Sequence, residues 1–296
     1  MSYIADPTAD TPLAAVSQPL TFSIVTPSFN QAHFLGEALS SVRDQRYHAV
    51  EHLVIDGAST DGTIDILRRH SNQPGWKHLR WVSEPDRGQS EALNKGFACA
   101  KGDIVGWLNS DDRYLPGCFE AVSHAFSQHP DVDVVYGDYR WINEEGLPYR
   151  LRREIEFNPF VLLYHRVLYI PSTATFFRRR IFDDNNYLDE KLHYALDFEL
   201  FVRLAMAGYR FKHIPAVLAD FRFQRNSKTC LASHKQLEET RQITEFYSPV
   251  LNTLRSPSGR RVVLLALRSL AACLRYSEKL MRGYYFQQRV HESRTS

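Results

Sequence analysis

Two adjacent carboxylates, Asp111 and Asp112, directly follow an apolar run, Ile104-Val105-Gly106-Trp107-Leu108, that reads as a buried strand. In open α/β sheets the C-terminal ends of strands line the edge where ligands bind. Hard cations such as magnesium or manganese prefer carboxylate oxygen together with phosphate oxygen. The pair therefore points to a metal–diphosphate site. The competing reading is that both residues cap a helix over 114–128, a task that Asp performs well.

Three further runs of the same kind precede this one. Phe22–Thr26 leads into Pro27-Ser28-Phe29-Asn30, Leu53–Ile55 into Asp56-Gly57-Ala58-Ser59-Thr60-Asp61-Gly62, and Arg80–Val82 into Ser83-Glu84-Pro85-Asp86-Arg87-Gly88. Each run is short, apolar and rich in β-branched or aromatic residues, and an amphipathic helical segment follows it. The pattern is a series of βα units with polar loops at one sheet edge. After it come a hairpin (139–142 and 149–152 around Asn143-Glu144-Glu145-Gly146), a helix containing Asp197 and a strand over 217–223. No internal repeat is visible.

Five segments make the chain resemble the family 2 glycosyltransferases, inverting enzymes of the GT-A fold: TPSFNQ (26–31), VIDGASTDGT (54–63), SEPDRGQSEALNKG (83–96), GDIVGWLNSDD (102–112) and HYALDFELFVRLA (193–205). They stand in the family's order and spacing across roughly residues 20–230. The resemblance implies an α/β fold with a mainly parallel central sheet flanked by helices. It divides the chain into an extension (1–19), a nucleotide-sugar-binding half (20–137), an acceptor-side half (138–230) and a C-terminal helical region (231–296).

The same resemblance assigns roles. Asp111 is the metal ligand for Mn2+ or Mg2+, with Asp112 as a direct or water-mediated ligand. Gln224 stands where relatives often carry a metal-reaching histidine. Asn109 stands where many relatives carry the first Asp of a D-x-D motif, so that contact passes to an amide. Thr26, Pro27, Ser28, Asn30, Asp56, Asp86, Arg87, Asn94, Asn109 and Ser110 are the nucleotide-sugar contacts, whereas Asp61 reads as turn and cap chemistry. Asp197 is the base that takes the proton of the acceptor hydroxyl, with Glu199 the weaker candidate and helix capping the bland alternative. The implied partners are a nucleoside-diphosphate sugar and a glycan or lipid-linked acceptor.

Hydrophobic content of 44% and charged content of 24% are ordinary for a globular protein. The four cysteines, at 99, 118, 230 and 273, show no zinc spacing and no disulfide framework, which suits a cytoplasmic setting. Residues 1–19 do not read as a signal peptide, and no apolar run is long enough to span a bilayer. Charge is uneven: residues 251–296 hold nine Arg or Lys and two Glu, about +7, which leaves about −5 for the rest of a chain of net charge +2.

In that tail Arg261, Arg268, Arg275, Arg282 and Arg289 recur every seven residues beside apolar positions 263, 267, 270, 274, 281 and 284. Three readings stay open: an anionic membrane surface, giving a peripheral protein at the inner face of the cell membrane; a homodimer; or packing on its own domain. Nucleic acid is disfavoured, since no binding module accompanies the charge. A dinucleotide-binding oxidoreductase lacks its G-x-G-x-x-G after the first strand, and a nucleotidyltransferase lacks a glycine- and lysine-rich phosphate loop. A catalytically silent nucleotide-sugar or carbohydrate-binding protein survives as the alternative, because Asn109 and Gln224 depart from the strongest metal pattern.

Overall fold

The computed structural model describes residues 19–47, 50–165, 167–224 and 233–285. Its first half is four parallel strands, β1 (Phe22–Ser28), β2 (Val50–Asp56), β3 (Leu79–Ser83) and β4 (Ile104–Trp107), in the order β3-β2-β1-β4. Helices α1 (Ala32–Arg43), α2 (Thr63–Ser71) and α3 (Gln89–Cys99) connect them. Strands β1 and β4 are buried along their whole length, as parallel strands covered on both faces must be. Helix α1 buries Leu35, Ala38, Leu39 and Val42, one stripe at 3/4 spacing. Because the four strands share a direction, their following loops converge on one edge.

The second half comprises β5 (Arg113–Tyr114), α4 (Cys118–Gln128), β6 (Val134–Ile142), β7 (Pro148–Arg152), α5 (Pro159–Tyr164), β8 (Thr175–Arg178), α6 (Arg180–Asp183), α7 (Leu196–Met206) and β9 (Phe211–Arg222). The sheet continues β4-β8-β6-β9-β5, with β7 on β6. Strand β8 is antiparallel to both neighbours, so the mainly parallel sheet expected from the sequence describes the first half and the second is mixed. The expected boundary at 137/138 falls inside β6, which pairs with β9 on both sides of it with register shifts at Gly137/Asp138 and Asp138/Tyr139.

Helix α4 starts at Cys118 rather than Tyr114. Arg113 and Tyr114 instead pair with Asp220 and Ala219 of β9, and Gly117, with φ of 81°, turns the chain into the helix. Neither Asp111 nor Asp112 caps it. The β6–β7 hairpin forms where its sequence placed it.

The C-terminal region folds as α8 (Ser233–Tyr247), α9 (Pro249–Asn252) and α10 (Pro257–Met281). Of the three readings of the tail, packing on its own domain is realised: Leu264 and Ala271 join the same core as Leu162, Leu163 and Phe201, with Val263 and Leu267 against it. Of the described arginines in the stripe, Arg275 turns inward, Arg268 and Arg282 are half-buried and Arg261 is exposed. Arg275 is 2% exposed and donates from Nη2 to Glu154 Oε2 at 2.8 Å, and Lys279 Nζ lies 2.8 Å from the same oxygen. Glu154 is fully buried, and a buried carboxylate needs such partners. The opposite face leaves Val262, Leu265, Leu270, Leu274 and Leu280 exposed. Arg289, Cys230 and residues 1–18 lie outside the described residues, among which no helix is long and apolar enough to cross a membrane.

Candidate active site

The loops behind β1 to β4 are stitched together at the sheet edge. Asn30, at φ of 51°, donates its N–H to Ser59 Oγ and accepts from the Thr60 N–H, so its side chain joins the first two loops. Asp61 accepts from Thr63 at the start of α2 and from the Ala32 N–H of α1, the turn and cap role expected of it. A Cβ on Gly57 would stand 2.7 Å from Asp86 Oδ2, so the Asp86 carboxylate of the third loop lies directly over the second loop and would have to shift for a larger residue. Thr26 is held by a 2.9 Å contact to buried His52, while the buried Ser28 hydroxyl has no partner among the described residues.

Three expected contacts are spent on the chain itself. Asp56 has no exposed surface and accepts from Ser59 N, Ser59 Oγ and Ser83 Oγ; it organises the loop and presents no open face to a base. Arg87 is exposed but ion-paired with Glu91 and Glu190. Asn94 uses both ends of its amide on the backbone of Leu188. Arg87 and Asn94 thus tie the loop that leads to Asp197 onto α3, aided by Ser90 Oγ donating to Leu192 O. A surface depression between α3 and that loop, lined by Arg87, Lys95, Tyr187 and His193, contains none of Asp111, Gln224 or Asp197.

The carboxylate pair separates into two roles. Asp112 is buried and its oxygens are taken by Thr173 Oγ1 at 2.5 Å, the Arg222 N–H at 2.8 Å and Asn109 Nδ2 at 3.1 Å. Burial first, and the charge of Asp111 second, raise its pKa. It is the inward-facing anchor of the loop. Asp111 is the outward member, and Gln224 Nε2, 113 residues further on, donates to its Oδ2 at 2.7 Å. Burial raises the Asp111 pKa as well, against the pull of Gln224 and Arg222. Asn109, with Oδ1 accepting from Trp107 Nε1 and Gln89 Nε2, shapes the loop, and Ser110 beside it is buried.

Among the described residues no cluster of three His, Cys, Asp or Glu could hold a metal ion by itself. The donor set still fits magnesium or manganese, which commonly take one or two carboxylates and complete their shell with substrate phosphate and water. Two neighbouring carboxyls that resist ionisation are the electrostatic environment a divalent cation relieves.

Asp197 is the second residue of α7, whose N-cap is Ala195. Glu239 of α8 accepts from the N–H groups of His193, Tyr194 and Ala195 that lead into the helix, while the first-turn N–H of Phe198 goes to Asp197 itself, so a local capping contact accompanies its place at the helix start. Asp197 makes one backbone bond, from Phe198 N–H at 2.8 Å, and burial pushes its pKa up to about 6, a value suited to accepting a proton near neutrality. Glu199 is engaged by Arg203 and by the Tyr247 hydroxyl, whereas Asp197 has no side-chain partner of this kind among the described residues.

Sequence reasoning missed Thr173, Glu239 and above all Arg222. This 2% exposed side chain donates to Asp111 O, Asn143 O, Glu144 O and Glu37, which locks the β6–β7 hairpin to the carboxylate loop. An arginine inside a strand pattern next to Gln224 was the available signal.

Polar loops gathered at a GT-A-type sheet edge, with an outward carboxylate beside an amide and a separate acid of raised pKa at a helix start, define a sugar-nucleotide-dependent transferase. Residues 23–185 match the family model described as Glycosyl transferase family 2, and the chain belongs to that family. An uncharacterised glycosyltransferase of Mycobacterium tuberculosis is 34% identical over 188 residues, 63% of this chain and 69% of the relative. The hyaluronan synthase of Pasteurella multocida is 26% identical over 65% of this chain but only 19% of its own length. The fold is shared with Staphylococcus aureus TarS 1–349 in complex with UDP-GlcNAc (TM-score 0.64, 18% identity, 84% of this chain and 71% of that one). It is also shared with a mannosyltransferase of Pyrobaculum calidifontis in complex with GDP-Man and Mn2+ (TM-score 0.56, 18% identity, 90% and 84%).

Proposed function

We propose that this glycosyltransferase works with inversion and metal assistance, moving a sugar from a nucleoside-diphosphate donor to a hydroxyl of a glycan or lipid-linked acceptor. The observation that carries this reading is the 2.7 Å contact of Gln224 with Asp111, which draws a second oxygen-bearing side chain to the one outward carboxylate of the loop. Nucleotide-sugar complexes of two proteins of the same fold, one of them with manganese, support it. Asp111, with Gln224 alongside, would hold the divalent cation, which when bound stabilises the charge that grows on the departing diphosphate.

The remaining work belongs to the chain's own residues. The edges of the first and third loops, at Pro27, Ser28, Asn30 and Asp86, cradle the nucleoside. Asp112 and Arg222 keep the Asp111 loop rigid. Asp197 accepts the proton of the acceptor hydroxyl on the sugar face opposite the diphosphate. Association with the inner face of the cell membrane remains part of the proposal, but through the exposed apolar face of α10; co-sedimentation with vesicles should therefore depend little on salt, and release by salt would argue for the basic stripe instead.

The test is a screen of UDP-, GDP- and dTDP-sugars for hydrolysis and transfer with manganese, with magnesium and with chelator. The reading expects turnover with one donor, abolished by chelator. The commitment of Asn109 to Trp107 and Gln89 favours the silent-protein alternative. Calorimetric binding of a nucleotide sugar with no turnover across a broad acceptor set would decide for that alternative.

A further inference from the structure

One residue before Gln224, Phe223 leaves the site and forms an aromatic surface at the sheet rim. Its ring, 41% exposed, stacks on Trp141 of β6 at 6.2 Å, and Trp141 meets Tyr149 of β7, 50% exposed, at 6.2 Å on its other flank. The guanidinium carbons of Arg150 and Arg152 stand 5.3 and 5.0 Å from the Trp141 ring centre. Strand register explains part of the grouping: Trp141 is paired with Arg150 on one side and Phe221 on the other, while Tyr149 is the extra residue at the register shift between Trp141 and Ile142.

Exposed aromatic rings grouped at a polar rim mark a ligand surface, and flat rings suit the apolar C–H faces of sugars. The charge adds a second requirement. Arg152 pairs with Oε1 of Glu154 at 3.7 Å, the oxygen that Arg275 and Lys279 leave open, whereas no acid among the described residues lies within ion-pair distance of Arg150. The planar Arg150 guanidinium beside stacking rings matches carboxylate or phosphate. The surface is also preformed, because Arg222 bonds the hairpin carbonyls of Asn143 and Glu144 and the Asp111 carbonyl together.

We infer that this rim binds the acceptor and that the acceptor is an anionic saccharide chain, bearing uronate carboxylates or phosphodiesters. The inference rests on the glycosyltransferase reading above and names its substrate class. An acceptor lying over Trp141 and Tyr149 would run from the donor site outward along the hairpin.

The experiment measures binding to the full chain of tetragalacturonate, of a glycerol-phosphate tetramer and of neutral cellotetraose by calorimetry at low salt, with UDP and GDP binding in manganese on the same samples. At least one anionic oligomer should bind roughly tenfold or more tighter than cellotetraose, and whichever does so tells carboxylate from phosphate. Arg150→Gln and Tyr149→Ala, both at exposed positions, should each weaken it by roughly three- to tenfold, the scale of one lost charge-assisted or stacking contact, with nucleotide affinity unchanged. A wild type that binds nucleotide yet prefers no anionic oligomer overturns the inference alone, as does full oligomer affinity in the double variant. A wild type that binds the anionic oligomer but neither nucleotide overturns the glycosyltransferase reading and leaves the carbohydrate surface standing.

Discussion

Asp197→Asn should make the protein more stable and nearly inactive at once. Burial moves this carboxyl from its ordinary 3.8 up to about 6, against one backbone hydrogen bond from Phe198. A rise of about 2 units makes the ionised form about 3 kcal/mol less favourable in the folded chain than in the unfolded one. The sign follows from the folded state binding its proton more tightly. The contribution is fully stabilising below about pH 4 and is lost as pH rises through 6. Asparagine keeps the shape and carries no charge to desolvate. At pH 7.5 the variant should therefore gain up to about 3 kcal/mol, at roughly 2–4 °C in Tm per kcal/mol, with the difference vanishing near pH 4. Transfer should fall by roughly two to four orders of magnitude, and the wild-type rate should rise with pH to half its maximum near 6. Thermal unfolding from pH 4 to 7.5 beside initial rates tests both halves. Near-normal transfer, or a variant less stable than wild type at pH 7.5, would refute the reasoning.

Asp111→Ala should lower nucleoside-diphosphate affinity in manganese by roughly tenfold or more and match the wild type in chelator, read by calorimetry, because only the metal-facing carboxylate is gone. Asp112→Ala should show mainly as lost thermal stability, about 1–3 kcal/mol, since it strands the bonds of Thr173 and the Arg222 N–H. Glu199→Gln should keep transfer within several-fold while unfolding earlier through loss of its pair with Arg203 and Tyr247, which a rate assay beside a denaturant titration separates. Glu154→Ala should cost about 3–5 kcal/mol in denaturant titration by leaving Arg275 and Lys279 buried and uncompensated.

Local pattern made much of the fold legible. The four parallel strands, the hairpin and the helix of Asp197 announce themselves by period and punctuation, and the link from Asp111 to Gln224 follows from motif order although 113 residues separate them. What escaped depends on partners that no local window contains. The arginine stripe of α10 looks like a solvated face until buried Glu154 is known to lie beneath Arg275. Asp56 and Asn94 have the residue types of ligand contacts, yet their hydrogen bonds are satisfied by Ser59, Ser83 and Leu188. Tyr114 reads as a helix start because nothing nearby shows that β9 will pair with it. Glu199 matches Asp197 in chemistry and differs only in having Arg203 and Tyr247 at hand.

The triad of Glu154, Arg275 and Lys279 also orders events during synthesis. Arg275 follows Glu154 by 121 residues, so at ribosomal speed the carboxylate has Arg152, 3.7 Å away, as its neighbouring cation for roughly 6–24 s before Arg275 is made. Until then, sinking beside Ile155 would bury the carboxylate with one of its three cations in place. Two of the three cations at Glu154 thus arrive only with the last turns of α10, so the burial of this carboxylate is complete only when the far end of the chain has docked.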